Sequence, residues 1–276
     1  MDKAWLIHQN PMFHTLRPLP IPMTTHIPWP TDWLIPDWPA PAQVRACITT
    51  RAGGVSQSPF EGFNLGDHVG DDPQAVAQNR DFLAETLGCT PAWLSQVHST
   101  DVVKADPTHV LTADACWTDQ PHQACSVLTA DCLPVLLCDR AGSKVAAAHA
   151  GWRGLAAGVL ERTVQALAVA PQELLVWLGP AIGPEVFEVG PEVREAFVSA
   201  HAQAEEAFKP SPNAGRYLAD LYQLARIRLA TLGITAVYGG GFCTYQEARF
   251  YSYRRQANTG RFASLIWLVE PNMQIS

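Results

Sequence analysis

The stretch ACSVLTADCLPVLLCDRAGSKVAAAHAG, residues 124 to 151, constrains this chain most. Two apolar runs flank Asp131, and a third returns after Asp139-Arg140-Ala141-Gly142-Ser143. Short apolar runs bounded by turn residues read as buried strands. The segment therefore predicts a buried strand pair interrupted by Asp131, with Lys144 to His149 as the return strand of a hairpin. A tight turn at 139–143 brings Cys132 roughly opposite His149 at the open end of that hairpin. Opposed residues on antiparallel strands have Cβ atoms about 4.5–5.5 Å apart. One metal ion is then within reach of both side chains.

Around this hairpin the chain alternates strand and helix signals. QVRACITTRAGGVS reads as a strand entering a glycine turn, and WLSQVHSTDVVKA alternates as a strand. AVAQNRDFLAETLG, LAAGVLERTVQALA, PEVREAFVSAHAQAEEAF and LADLYQLARIRLATLG read as helices, the first and last ending at glycine. LLVWLGPAIG reads as a further buried strand, and FYSYRR and RFASLIWLVE as closing strands. The interleaving predicts a mixed α/β (α+β) class with a substantially antiparallel sheet. Residues 1–25, rich in Pro and Trp, read as an irregular N-terminal arm, with Met23 as an alternative start. Residues 26–276 read as a single domain.

Composition narrows the function classes. Hydrophobic residues are 47% and charged residues 16%, which excludes global disorder. A net charge of −7 argues against a nucleic-acid or anionic-membrane binder, while leaving room for a local cationic pocket. The seven cysteines are scattered, odd in number and without a CxxC pair, as expected of reduced thiols in a cytoplasmic protein. No apolar run reaches bilayer-spanning length, and the N-terminus lacks a signal-peptide core.

The chemistry-bearing candidates follow from residue type and place. Cys132 and His149 suit zinc, with His98 as third ligand and His68 as runner-up. Free cysteine and strand-end histidine also serve as plain packing. Arg153 stands in AHAGWRG at a helix start, where unpaired N–H groups and a guanidinium hold anions; a local acid is its alternative partner. Arg51 follows a strand into a glycine turn. Arg254, Arg255 and Arg261 cluster with Tyr251 and Tyr253 as the densest basic patch. Asp131 reads as a ligand-orienting group, a base or a structural carboxylate.

Taken together, TTRAGGVSQSPFEGFNLGDHVGDD, QVHSTDVV, ADACWTDQP, LTADCLPVLLCD, AAAHAGWRG, LGPAIGPEVFEVG and CTYQEARFYSYRR…TGR resemble the YfiH/YlmD-like family, also called the multicopper polyphenol oxidase or laccase-domain family. The resemblance runs from about residue 41 to 270. It implies a four-layer α-β-β-α fold, like the catalytic domain of cytotoxic necrotizing factor. It places the family's two-His, one-Cys metal triad on His98, Cys132 and His149, and its arginine motifs on Arg51, Arg153, Arg254 and Arg255, the expected phosphate-binding set. The implied activity is zinc-dependent purine nucleoside phosphorolysis of adenosine, inosine or methylthioadenosine, with adenosine deamination. The implied alternative is a peptidoglycan-editing amidase that removes L-Ser from UDP-MurNAc-L-Ser. Copper polyphenol oxidation and a non-catalytic zinc protein rank lower, because one His2Cys site without further His clusters cannot assemble a laccase's several coppers. The expected partners are a nucleoside or nucleotide-linked substrate and phosphate. Whether Cys132 is only a ligand or also a nucleophile stays open at this level.

Overall fold

The computed structural model describes residues 29–270, so the expectations for the N-terminal arm, Met23 included, lie outside the described residues. In chain order the main elements are β1 (Val44–Ile48), α1 (Pro73–Leu87), β2 (Thr90–Ala92), β3 (Leu94–Ser95), β4 (Val102–Lys104), β5 (Leu111–Thr112), β6 (Ala115–Thr118), β7 (Gln123–Thr129), β8 (Leu133–Asp139) and β9 (Val145–Ala150). Then come α2 (Trp152–Ala157), α3 (Val159–Leu167), β10 (Leu174–Leu178), β11 (Glu188–Val189), α4 (Pro191–Val198), β12 (Phe208–Pro210), β13 (Tyr217–Ala219), α5 (Leu221–Thr231), β14 (Val237–Gly239) and β15 (Phe262–Leu268). A four-stranded sheet runs β1-β15-β7-β2 and a six-stranded sheet runs β14-β10-β8-β9-β6-β4. Inner pairs such as β8/β9, β8/β10, β6/β9 and β7/β15 are antiparallel, while the edge strands β2, β4 and β14 pair in parallel.

Strand periodicity builds the four layers. Along β15, Phe262, Ile266 and Leu268 face the six-stranded sheet, while Ala263, Leu265 and Trp267 face α1. Along β8, Leu136 and Cys138 face the four-stranded sheet, while Leu133, Val135 and Leu137 face the helices. Successive side chains of a strand point to opposite faces, so an all-apolar strand demands cover on both. α1 covers one outer face; α2 to α5 cover the other. Each fully buried Leu or Val here contributes about 1.5–3 kcal/mol of transfer free energy. The chain is thus a mixed α/β protein in four layers, α-β-β-α. Among the described residues no helix is long and apolar enough to cross a membrane.

Several local expectations are corrected. β7 and β8 do not pair with each other; the chain crosses between the two sheets at Ala130-Asp131-Cys132, and Asp131 takes a left-handed φ of 103° to make the step. WLSQVHSTDVVKA is not one strand, because the chain leaves β3 to wrap around the side chain of Asp114. LAAGVLERTVQALA is broken at Gly158, whose φ of 104° ends α2 and starts α3. The helix expected over PEVREAFVSAHAQAEEAF stops at Val198, and Ala202–Ala207 continues as a 3₁₀ segment. FYSYRR is a turn: Ser252 accepts the N–H of Arg255 on its hydroxyl and that of Gln256 on its carbonyl. Local bonds of this kind compete with a strand ladder.

Candidate metal centre

The β8/β9 register sets Leu133 opposite Ala150 and Pro134 opposite His149. His149 is therefore two residues along from the position facing Cys132. With a side-chain period of two, a shift of two keeps a residue on the same face. Cys132 and His149 accordingly share the inter-sheet face, diagonally, at the end where β7 crosses to β8. His98 arrives from the loop after β3, and its Nε2 lies 3.8 Å from Cys132 Sγ. The rings of His98 and His149 meet edge to face, 4.7 Å between centroids. One ligand atom from each of His98, Cys132 and His149 falls within 4.8 Å of the other two.

Asp114 organises this arrangement. Its buried carboxylate accepts the backbone N–H groups of Val97 (3.1 Å), His98 (2.9 Å) and Ser99 (2.6 Å). Three consecutive amides can converge on one carboxylate because His98 adopts a φ of 60°, a conformation uncommon outside glycine. The same carboxylate takes a hydrogen bond from His149 Nδ1 at 2.8 Å. That leaves His149 Nε2 as the nitrogen free to meet a metal. Burial alone raises the carboxyl of Asp114, but the His149 bond and the amides of Ser99 and Val97 outweigh it and hold it at about 2. Asp114 carries no flag in the sequence, since nothing local connects a strand-start acid to residues 97–99 and 149. Asp114→Asn should lower zinc affinity about 10–100-fold, read by chelator competition; unchanged affinity would remove Asp114 from this role.

The donor chemistry separates Cys132 from the other thiols. Burial pushes Cys89 and Cys138 up to about 12, and Cys47 and Cys125 well above their ordinary value. Burial opposes the Cys132 thiolate too, but His149 and His98 outweigh it and bring the thiol below its ordinary value. His149 moves up, because the Cys132 thiolate and the Asp114 carboxylate overcome its desolvation. A sulfur and two imidazole nitrogens are zinc's preferred donors, and tetrahedral zinc bonds set S and N about 3.5 Å apart. Gly151 leaves the space open: a Cβ there would stand 2.9 Å from His98 Cδ2 and 3.0 Å from Cys132 Sγ. The three residues fit a zinc ion with a fourth position free.

The centre opens into a cavity of about 450 Å³. Arg153 and Arg254 line it, together with Trp152, Phe187 and Tyr253. Arg153 stacks on Trp152 with its guanidinium 4.5 Å from the ring centroid, and Arg254 lies over Phe187 at 5.6 Å. Asp131 accepts the Thr244 hydroxyl at 2.6 Å and the Arg254 N–H at 2.7 Å. These two bonds hold the Arg254 loop beside Cys132. Arg51 and Arg255 do not line this cavity. Arg51 pairs with Glu61 at 3.4 Å and stacks on Tyr251. The Arg255 guanidinium donates to the carbonyls of Thr244, Tyr245 and Phe250, which pins the turn. His68 and Arg261 do line the cavity, although His68 lies outside the triad.

Comparison with known proteins gives a consistent family. Residues 45–269 match the family model described as multi-copper polyphenol oxidoreductase laccase. The chain is 68% identical over 237 residues to a protein of Pseudomonas aeruginosa named purine nucleoside phosphorylase, covering 86% of this chain and 98% of that one. It is 54% identical over 241 residues to the Escherichia coli protein named purine nucleoside phosphorylase YfiH, with the same coverage. Among solved structures, a Neisseria meningitidis protein superposes with a TM-score of 0.84 at 52% identity, over 86% of this chain and 99% of that one. YlmD of Geobacillus stearothermophilus superposes at 0.74 and 32% identity, over 83% and 93%.

Proposed function

The chain belongs to the YfiH-type family described as multi-copper polyphenol oxidoreductase laccase, and on that premise we propose that it is a zinc-dependent purine nucleoside phosphorylase that also deaminates adenosine. The observation that carries this is one His2Cys cluster opening into a cavity with aromatic and guanidinium walls. Among the described residues it is the single group of three or more His, Cys, Asp or Glu side chains spaced to hold a metal. Laccase chemistry needs several coppers; a lone set of three donors with an open position is the pattern of catalytic zinc.

His98 Nε2, Cys132 Sγ and His149 Nε2 would hold the ion, and zinc there would supply a Lewis acid and lower the pKa of bound water. In phosphorolysis a phosphate oxygen bonds to C1′ of the sugar as the C1′–N9 bond breaks. The bonding pair leaves with the purine, and the proton of hydrogen phosphate ends on a purine nitrogen. The centre at C1′ becomes cationic on the way, so fixed groups around it act through placement and charge. Trp152, Phe187 and Tyr253 offer faces and edges for a purine ring. Arg153 and Arg254, exposed at the rim, raise the local phosphate concentration in an otherwise acidic protein. The Asp114 bracket holds the His98 backbone and the His149 ring still while substrates exchange.

The experiment is direct. Protein of measured zinc and copper content is given inosine and phosphate, and products are followed by mass spectrometry. Hypoxanthine and ribose 1-phosphate in equal amounts are expected, and inosine from adenosine in a second arm. Release of L-Ser from UDP-MurNAc-L-Ser without any ribose 1-phosphate would replace the phosphorylase reading with the amidase.

A further inference from the structure

Two loops that the zinc chemistry does not use lie side by side on the cavity wall supplied by the four-stranded sheet. Asn64, fully buried, accepts the N–H of Arg261 (2.8 Å) and of Gly66 (2.9 Å) on one oxygen. Leu65 N–H donates to the Arg261 carbonyl at 3.1 Å. The Asn64 amide donates to Gly66 O and Asp71. Residue 66 has to be glycine, since a Cβ there would fall 2.8 Å from Arg261 Cγ. The stitching brings His68 and Arg261 to the same cavity as the metal centre.

Arg261 differs from the other cavity arginines. Arg153 and Arg254 are exposed, whereas Arg261 is half-buried. Its guanidinium is held in place by Nη1 donating to Thr259 O (2.9 Å) and Gly260 O (3.0 Å). Its Nε and Nη2 have no protein acceptor among the described residues, and no carboxylate lies within salt-bridge distance. Elsewhere Arg51, Arg80, Arg194, Arg228 and Arg249 each have such a carboxylate. A fixed, partly desolvated guanidinium with free donors is a seat for an oxyanion. His68 adds a second polar group: its Nδ1 lies 3.4 Å from Asp67, which leaves Nε2 to accept the hydroxyl of hydrogen phosphate.

We infer that Arg261 and His68 form the seat of inorganic phosphate, the attacking group, with Arg153 and Arg254 serving only to attract it. This assignment rests on the phosphorolysis reading above, but its test does not require turnover. Phosphate is titrated calorimetrically onto the zinc-loaded protein and onto Arg261→Gln and His68→Asn. Each substitution is expected to weaken phosphate binding about tenfold or more, the scale of a lost hydrogen bond to a charged group. Steady-state kinetics should show the same rise in KM for phosphate, with KM for inosine and zinc content unchanged. The exposed His68 variant keeps the test alive should Arg261→Gln fail to fold.

Unchanged phosphate affinity in both variants overturns the inference. So does a rise in KM for inosine alone, or loss of phosphate binding in Arg153→Gln in place of these two. If inosine 5′-monophosphate binding weakens in the variants while free phosphate binding holds, the pair serves a nucleotide's phosphoryl group and the inference falls. Phosphate bound at the pair by a protein that releases no ribose 1-phosphate would sink the phosphorylase reading and leave the anion seat standing.

Discussion

Cys132→Ala is expected to release the metal and to lower kcat/KM for inosine phosphorolysis by on the order of a thousandfold, the scale of losing a charge-stabilising group. The substitution removes the one soft donor of three and leaves two imidazoles that no longer close a site. It should leave folding nearly intact, because Cys132 lines the cavity half-buried and is no part of the hydrophobic core. His149→Ala differs in kind. It also strips the Asp114 carboxylate of its imidazole partner in a fully buried setting. The carboxylate keeps its three amide donors, so the lost imidazole bond costs about 1–3 kcal/mol, and this variant should lose metal and melt earlier. Metal analysis beside thermal melts separates the two. A Cys132→Ala protein with full zinc and full turnover would remove the centre from the reaction.

Gly151→Ala should be nearly as damaging for a single added methyl. The new Cβ would stand 2.9 Å from His98 Cδ2 and 3.0 Å from Cys132 Sγ, closer than carbon and sulfur tolerate. Gly151 has ordinary φ, −59°, so alanine meets no backbone penalty there. The whole effect is thus a displaced pair of donors. Zinc affinity is expected to fall at least about a hundredfold, the upper end of what disturbing ligand orientation causes, while thermal stability of the metal-free protein changes little. Gly62→Ala is the contrasting control. Its φ is 101° and its Cβ would collide with the Arg51 carbonyl at 1.9 Å, so stability should fall whatever the metal content. A Gly151→Ala protein that binds zinc like the parent would show that the crowding relaxes elsewhere.

Local patterns carried much of the fold. β8, the turn at 139–143 and β9 are contiguous, so apolar runs and turn residues suffice to predict the hairpin and the proximity of Cys132 and His149. The observed register sets Pro134 opposite His149, and the shared face survives because the shift is even. α1 was equally legible, with Asp72 accepting the Gln74 N–H at its start and Gly88 in a left-handed C-cap. The four-layer order and the placing of His98 beside Cys132 and His149 came from family motifs, and no spacing rule selects His98 over His68.

The sequence by itself determined which strands are buried on both faces, where the hairpin carrying Cys132 and His149 lies and which family the chain joins, because those rest on neighbouring residues and ordered motifs. Only the tertiary structure decided the rest. Asp114 reaches residues 97–99 and 149 across the fold, and its carboxylate, not the local sequence, forces His98 out of a strand. Arg261 meets His68 at one cavity through contacts nearly two hundred residues apart in the chain, via Asn64. Arg51 and Arg255, alike in sequence to the cavity arginines, are turned to Glu61 and to backbone carbonyls. A guanidinium's role depends on which acceptors the folded chain offers it, and that pairing is set by packing between distant segments.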